Sequence, residues 1–139
     1  MLILDTNVVS ELMRTEPDRR VVIWLDRQPP LEVHITAPTV AEISFGIERL
    51  PTGRRQRDLE GLFRQTIERS FSDRIIPFDR EAAAAYGSIM ARRQAAGRPM
   101  SVIDGQIAAI AAILGATLAT RNTSDFDDTA VPVLDPFAG

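Results

Sequence analysis

Short apolar runs alternate with helix-like spacings of apolar residues from one end of this chain to the other. The first run, at residues 2–4, predicts a buried strand, and the apolar positions that follow it recur at helical intervals. This order continues without an internal repeat, a linker or a low-complexity tract. It predicts an α/β domain in which a central parallel sheet of about five strands is covered by helices on both faces.

The apolar spacing, together with the Pro and Gly breaks, sets the predicted boundaries of these elements. Strands are expected at residues 2–4, 33–35, 75–78, 117–120 and 131–134. Helices are expected at residues 7–13, 21–25, 38–50, 54–71, 80–96 and 101–114. The last helix is almost wholly apolar, which indicates a buried position.

The length of 139 residues suits one compact domain, so a single domain over residues 1–139 is expected. The chain has no cysteine, which excludes disulfides and thiolate metal sites and favours the reducing cytoplasm. The longest apolar run, residues 107–119, is shorter than the ~20 residues that span a bilayer. The chain starts directly with a strand instead of a charged signal region, so neither membrane insertion nor export is expected.

The formal net charge of −3 at pH 7 differs from that of a protein that holds nucleic acid by bulk positive charge. All 16 basic side chains are arginine, because the sequence contains no lysine. Residues 49–74 hold seven arginines but only four acids. Such a run more often marks a solvated helix face, but it also suits contact with RNA or with an acidic protein segment.

Four acids are predicted to meet at one edge of the sheet. Asp5 and Asp125 follow the first and fourth strands, and Glu42 and Asp104 lie near the starts of two helices. Ligand sites of open parallel sheets lie at the carboxyl ends of the strands, and carboxylates gathered there repel one another unless a cation neutralises them. Because the chain has no cysteine and only one histidine, the expected cation is Mg²⁺, for which Mn²⁺ can substitute.

Each of these acids also has a purely structural interpretation. Asp5 is a suitable cap for the first helix. Thr39 with Glu42 matches a capping box, and Ser101 with Asp104 matches the aspartate variant of that box. The acid after the fourth strand lies in a turn-like stretch with two further aspartates. Taken singly, each residue therefore fits either a cap or turn role or a ligand role.

The order and separation of these residues resemble the PIN-domain family, and within it the VapC and FitB toxins. The resemblance spans the whole chain and rests on Leu4-Asp5-Thr6-Asn7-Val8, Val40-Ala41-Glu42-Ile43, Phe45-Gly46-Ile47, residues 101–109 and Thr120-Arg121-Asn122. It implies a three-layer, Rossmann-like PIN fold. It also implies a metal-dependent endoribonuclease, the toxin of a type II toxin–antitoxin pair, that hydrolyses RNA with a metal-activated water. In that family the matching acids bind the metal, which assigns that role to Asp5, Glu42 and Asp104.

One position departs from the family pattern. Many members carry an acid directly after the threonine of the fourth strand, where this chain has Asn122. Asp125 is therefore expected to serve as the fourth catalytic and metal-binding group, directly or through water, with Asn122 as the alternative. The residues expected to orient the ligands or the attacking water are Thr6, Asn7, Thr120 and Asn122.

The resemblance also implies partners. RNA is the expected substrate, and a cognate DNA-binding antitoxin of the VapB or FitA type is expected to lay its tail across the toxin groove. A homodimer is expected as well. The apolar surplus of residues 80–96 and 101–114 suits a dimer interface, although packing in the core explains it equally well.

Two other classes of protein share part of this pattern. Asp5-Thr6-Asn7 nearly matches the nucleophile loop of haloacid-dehalogenase-like phosphohydrolases, but position 7 is not acidic and the lysine of that family is missing. The missing lysine also argues against a two-component receiver domain. A PIN-like domain that only binds a partner is compatible with the sequence, and magnesium-dependent RNA cleavage separates it from a nuclease.

Overall fold

A computed structural model describes residues 1–138 as a five-stranded sheet with six α-helices. The strands are β1 (Leu2–Leu4), β2 (Val33–Thr36), β3 (Ile75–Ile76), β4 (Thr117–Ala119) and β5 (Val133–Leu134). The helices are α1 (Thr6–Leu12), α2 (Arg19–Asp26), α3 (Ala37–Glu48), α4 (Arg54–Ser70), α5 (Arg80–Ala95) and α6 (Val102–Leu114). Short 3₁₀ helices at Pro30–Glu32 and Thr123–Phe126 precede β2 and follow β4.

All strands run parallel, in the order β3-β2-β1-β4-β5. In the central strand β1, Leu2 pairs with Val33 of β2 on one side and with Thr117 of β4 on the other. The chain builds outward from β1 to β3 and then crosses back to β4, so the strand order reverses between β1 and β4. An open parallel sheet forms its ligand crevice at such a reversal, beyond the carboxyl ends of the strands. The predicted three-layer α/β fold is confirmed.

The sheet separates two apolar cores. Leu2 and Leu4 pack in the core on the side of α1 to α4, whereas Ile3 packs against the buried faces of α5 and α6. Successive strand side chains point to opposite faces, so this three-residue strand is buried on both sides. Burial on both faces fixes the position of β1 in the sheet, and therefore the position of Asp5, which follows it.

Three helices that carry predicted site residues begin at capping side chains. Asp5 accepts a hydrogen bond from the backbone N–H of Thr6, and Ser101 accepts one from Asp104. At α3 the cap is Thr36, whose hydroxyl accepts from the backbone N–H of Thr39. The predicted capping box of Thr39 with Glu42 is therefore wrong, because the helix starts one turn earlier and Thr39 already lies inside it.

The sheet edges are shorter than expected. The edge strand β3 ends before Pro77, which has no N–H for the ladder, and β5 starts at Val133 after Pro132. The other boundaries agree with the predictions to within about two residues. Within residues 1–138, no helix has the length and apolar character needed to cross a membrane.

Helices α5 and α6 approach each other closely at Gly105. A Cβ placed on this residue would lie 2.5 Å from Sδ of Met90 and 2.9 Å from the ring of Tyr86, both on α5. The absence of a side chain at Gly105 therefore sets the spacing of the two helices, directly beside Asp104.

Candidate metal centre

Asp5 occupies the crevice beside the central strand. Its side chain is 4% exposed and accepts three hydrogen bonds. The backbone N–H of Thr6 donates to Oδ1 over 2.8 Å, the hydroxyl of Thr120 donates to Oδ2 over 2.7 Å, and Nδ2 of Asn7 donates to Oδ2 over 3.3 Å. The carboxylate is therefore fixed in orientation by groups from α1 and from the end of β4.

Asn7 and Thr120 form a small polar network with the segment after β4. Nδ2 of Asn7 donates to the Thr120 hydroxyl over 3.2 Å, and Oδ1 of Asn7 accepts from the backbone N–H of Arg121 over 3.1 Å. The backbone N–H of Asn122 donates to the same hydroxyl over 3.1 Å. Asn122 thus enters this network through its backbone, while its side chain is exposed.

A second polar chain joins α1 to α3. The hydroxyls of Thr6 and Thr39 lie 3.1 Å apart, and the hydroxyl of Thr36 donates to that of Thr39 over 3.3 Å. Thr36 and Thr39 are fully buried. These contacts fix the first turns of α3, and hence Glu42 in its second turn, relative to Asp5.

The other predicted acids lie around Asp104 in the first turn of α6. Burial raises the pKa of Asp104, and the nearby negative charges of Asp125 and Glu42 raise it further, against the hydrogen bond with Ser101 and the positive charge of Arg93. Asp104 is half-buried, whereas Glu42 and Asp125 are exposed. The charges of Glu42 and Asp125 therefore both act on Asp104, and we refer to Asp5, Glu42, Asp104 and Asp125 as the acid cluster.

Asp5 is the most strongly perturbed member of this cluster. Burial raises its pKa from the ordinary 3.8 to about 6. The hydrogen bonds from Thr120 and Thr6 lower it, and the charges of Asp104 and Glu42 add to the rise. A carboxyl group with this pKa keeps its proton up to about pH 6 unless a positive charge stabilises the anion.

Within residues 1–138, no three acidic or histidine side chains are spaced to surround one metal ion in their present conformations. The chemistry of the donors nevertheless fits a hard divalent cation, because all four are carboxylates and they repel one another. Glu42 and Asp125 are exposed, and their carboxylates make no hydrogen bond or ion pair within the described part of the chain. These two side chains are therefore free to adopt other rotamers.

Two buried charged residues near the site carry no signal in the sequence. Arg93 of α5 is 4% exposed, and its positive charge acts on Asp104. Glu11 of α1 is 5% exposed; it lies 3.5 Å from the guanidinium of Arg121 and accepts from the backbone N–H of Asp18 over 2.8 Å. Sequence patterns miss both residues because contacts with distant segments, Asp127 for Arg93 and Arg121 for Glu11, contribute to their burial.

A groove of about 1190 Å³ lies between α1, α3 and α4, and Glu42 is the one member of the acid cluster that lines it. Its charged lining combines Arg14, Arg54 and Arg55 with the acids Glu16 and Asp58. The apolar part of the lining includes Ile43, Ile47, Leu59 and Leu62. Part of the arginine-rich stretch therefore lies in the same groove as Glu42.

Known proteins resemble this chain over nearly its full length. The profile of the PIN domain matches residues 2–132. The toxin FitB of Neisseria gonorrhoeae is 39% identical over 137 residues, which cover 99% of each chain. The VapC ribonuclease Y4jK of Sinorhizobium fredii is 36% identical over 137 residues, which cover 99% of this chain and 98% of the relative.

A solved structure of FitAB bound to the IR36 DNA fragment contains a chain of the same shape. Its TM-score is 0.90 and its sequence identity 39%, over 99% of this chain and 96% of that chain.

Proposed function

The chain belongs to the PIN domain family, and we propose that it is a metal-dependent endoribonuclease that acts as the toxin of a type II toxin–antitoxin pair. The observation that carries this proposal is the cluster of four acids at the strand-order reversal, with buried Asp5 at its base. The names of its relatives, a VapC ribonuclease and the FitB toxin, support the activity and the biological role.

Asp5, Glu42 and Asp104 would hold the metal, with Asp125 as the fourth group. Mg²⁺ is the proposed ion, and Mn²⁺ can substitute, because both prefer oxygen ligands. When bound, such an ion supplies a water of lowered pKa and stabilises negative charge on the phosphate and the leaving oxygen.

The residues around Asp5 orient its carboxylate for metal binding. Thr120 and Asn7 hold Oδ2, and the backbone N–H of Thr6 holds Oδ1, so the carboxylate keeps one orientation. Burial lets Asp5 retain a proton up to about pH 6. A cation and a proton therefore compete for this carboxylate, and the deprotonated site exists only above that pH.

We assign substrate binding to the groove beside the acids. Arg14, Arg54 and Arg55 line it and can contact the phosphates of an RNA strand that passes Glu42. The arginines would hold the phosphates that flank the scissile one, and the groove acids Glu16 and Asp58 offset part of their positive charge. With no lysine in the chain, arginine is the only strong phosphate-binding side chain that it offers.

We also propose a cognate DNA-binding antitoxin of the VapB or FitA type, whose tail occupies the same groove, and a homodimer of the toxin. The solved FitAB complex supports the antitoxin partner. The exposed apolar side chains Val102, Ile113 and Leu114 on α6 support an interface between two copies.

RNA cleavage by the purified chain tests the activity. We expect cleavage of single-stranded or structured RNA with Mg²⁺ or Mn²⁺ and none after EDTA is added. Glu42→Gln should abolish it, whereas Glu48→Gln, which removes the same charge from the same helix outside the cluster, should not. Cleavage that persists in EDTA would contradict the metal mechanism, and a folded, metal-bound chain that cleaves no RNA would favour a domain that only binds a partner.

A further inference from the structure

Arg93 is a buried arginine in the helix beside the acid cluster. It lies in the last turn of α5 and is 4% exposed. None of the ion pairs found among residues 1–138 includes it. Burying a guanidinium without a close carboxylate is unfavourable, so its hydrogen bonds must account for its position.

These hydrogen bonds join two separate loops. Nε donates to the backbone carbonyl of Arg98 over 2.6 Å, in the connection between α5 and α6. Nη1 donates to the backbone carbonyl of Asp127, two residues beyond Asp125. Arg93 therefore ties the end of α5 and the start of α6 to the segment that carries the fourth acid.

Phe126 packs in the apolar core beside α5 and α6, while the remaining polar contacts of this segment, residues 124–129, lie mostly at its surface. Nε of Arg92 donates to the carbonyl of Asp128 over 3.1 Å, and Nη2 of Arg98 lies 3.1 Å from Oδ2 of Asp127. Both arginines are exposed, so their contacts exchange readily with water. The buried hydroxyl of Thr129 donates to the carbonyl of Phe126 over 2.6 Å, but this hydrogen bond lies within the segment itself. Arg93 provides the buried hydrogen bond that joins the segment to α5.

We propose that Arg93 positions Asp125 by holding residues 124–129 against α5 and α6, so that the Asp125 carboxylate faces Asp104. This inference rests on the proposed function, since it gives Asp125 a place in the metal site. Arg93 acts through the backbone of Asp127 and touches neither substrate nor metal, which makes it a positioning residue.

If Arg93 acted mainly through its charge, removing it would have the opposite effect on metal binding from the loss of a positioning residue. A buried positive charge beside the acids repels a cation, so its removal would strengthen Mn²⁺ binding if charge were its main contribution. Loss of positioning would weaken Mn²⁺ binding instead. The sign of the change in affinity therefore separates the two roles.

Two substitutions exploit this difference. Arg93→Lys keeps the charge, but a single ammonium group cannot reproduce the planar fork of donors that reaches both carbonyls. Arg93→Met removes the charge and fills the buried space with an apolar side chain. If Arg93→Lys does not fold, Arg93→Met is measured in its place. Arg92→Lys is the matched control, because Arg92 contacts the same segment from its exposed side.

The experiment combines hydrogen exchange of the metal-free protein with Mn²⁺ titration by calorimetry. In both Arg93 variants, we expect faster exchange of the amides of residues 124–129 and a Mn²⁺ Kd raised about tenfold or more, the range seen for partners of metal ligands. Arg92→Lys should leave the Kd unchanged. In an Asp125→Asn background, Arg93→Lys should cause no further loss, because the residue that it positions is already removed.

Three results would overturn the inference. Unchanged exchange of residues 124–129 would show that Arg93 does not hold the segment. An unchanged Kd in Arg93→Lys, or tighter Mn²⁺ binding by Arg93→Met, would assign Arg93 a charge role or a purely structural one. A wild-type chain that binds no Mn²⁺ would overturn the proposed function itself, and the exchange data would still show whether the anchor exists.

Discussion

The hydroxyl of Thr120 donates a hydrogen bond of 2.7 Å to Oδ2 of Asp5, across 115 residues of sequence. It joins the carboxyl ends of β4 and β1, the two strands between which the sheet order reverses. This hydrogen bond stabilises the charged form of Asp5 and so opposes the rise in its pKa caused by burial.

Thr120→Val should therefore weaken both the fold and the metal site. The substitution keeps the shape of the side chain but removes one hydrogen-bond partner each from buried Asp5 and from Asn7, at a cost of about 1–3 kcal/mol in unfolding free energy. Urea unfolding measures this loss. Thr117→Val, at the start of the same strand, is the control, because Thr117 makes no side-chain hydrogen bond within residues 1–138. Equal effects of the two substitutions would contradict the role of Thr120.

The stability of the metal-free protein should depend on pH through Asp5. Its pKa is about 6 in the folded chain and about 3.8 when exposed, so the folded state binds this proton more tightly. The resulting stabilisation is complete below about pH 4 and is lost as the pH rises through 6, by roughly 3 kcal/mol. Unfolding in urea at a series of pH values measures it.

Asp5→Asn supplies the control for that experiment, since the amide does not titrate. The difference in unfolding free energy between the wild type and Asp5→Asn should change between pH 4 and 7. A difference that stays constant over this range would show that the pKa of Asp5 is not raised.

Asp104→Asn should leave the metal-free protein at least as stable as the wild type. Burial and the charges of Asp125 and Glu42 disfavour the Asp104 anion. Removing this charge also loses its favourable interaction with the positive end of the α6 dipole, but we expect the relief of repulsion and desolvation to be larger. The melting temperature of the metal-free variant, compared with that of the wild type, shows the sign of the change in stability. The variant should also lose most of the stabilisation that Mn²⁺ gives to the wild type.

Glu81→Gln is the comparison for a plain helix-start acid, because Glu81 lies exposed in the first turn of α5. It should lower stability by roughly 0.3–1 kcal/mol. If Asp104→Asn destabilises in the same way and keeps its response to Mn²⁺, Asp104 serves the helix and not a metal.

Charge reversal in the groove should weaken antitoxin binding. Arg54 and Arg55 line the groove, whereas Arg57 of the same helix does not. Arg54→Glu with Arg55→Glu should raise the Kd for the antitoxin and flatten its salt dependence, while Arg57→Glu should change both less. Calorimetry at two salt concentrations measures this, and identical responses at all three positions would point to a general charge effect.

Gly105→Ala should destabilise the protein by about 1–3 kcal/mol, because its methyl group would overlap Met90 and Tyr86. Gly87→Ala on α5 is the matched substitution: its methyl group meets open space, so it should stabilise the helix by roughly 0.5–1 kcal/mol. Thermal unfolding compares the two. A neutral Gly105→Ala would show that α5 and α6 can separate at little cost.

The fold could be predicted well because the spacing of apolar side chains within each element already indicates which of its faces is buried. The apolar strand 2–4 and the apolar helix α6 follow from side-chain spacing alone. The start of α3 was harder to predict, since Thr36 and Thr39 both suit a cap and only the end of β2 decides between them. The strand edges next to Pro77 and Pro132 depend on pairing with a distant strand, which local patterns do not contain.

The sequence pointed to the four acids and to the polar residues beside Asp5, but not to the buried charges near them. The acids could be proposed because each lies at a predictable end of a strand or helix, and Asn7 and Thr120, which hydrogen-bond to Asp5, were expected as well. Arg93 could not be predicted, because its two acceptors are backbone carbonyls 5 and 34 residues away and carry no side-chain signature. Glu11 was missed because its pair with Arg14, three residues on, resembles an ordinary surface pair, and its contact with Arg121 comes from a distant segment.

The central position of β1 also has a consequence for synthesis. This strand is made before β4 and Thr120, which complete its surroundings and follow it by more than one hundred residues. The centre of the sheet cannot close, and Asp5 cannot meet its hydroxyl partner, until β4 has left the ribosome. A nascent or truncated chain that lacks β4 therefore cannot assemble the acid cluster.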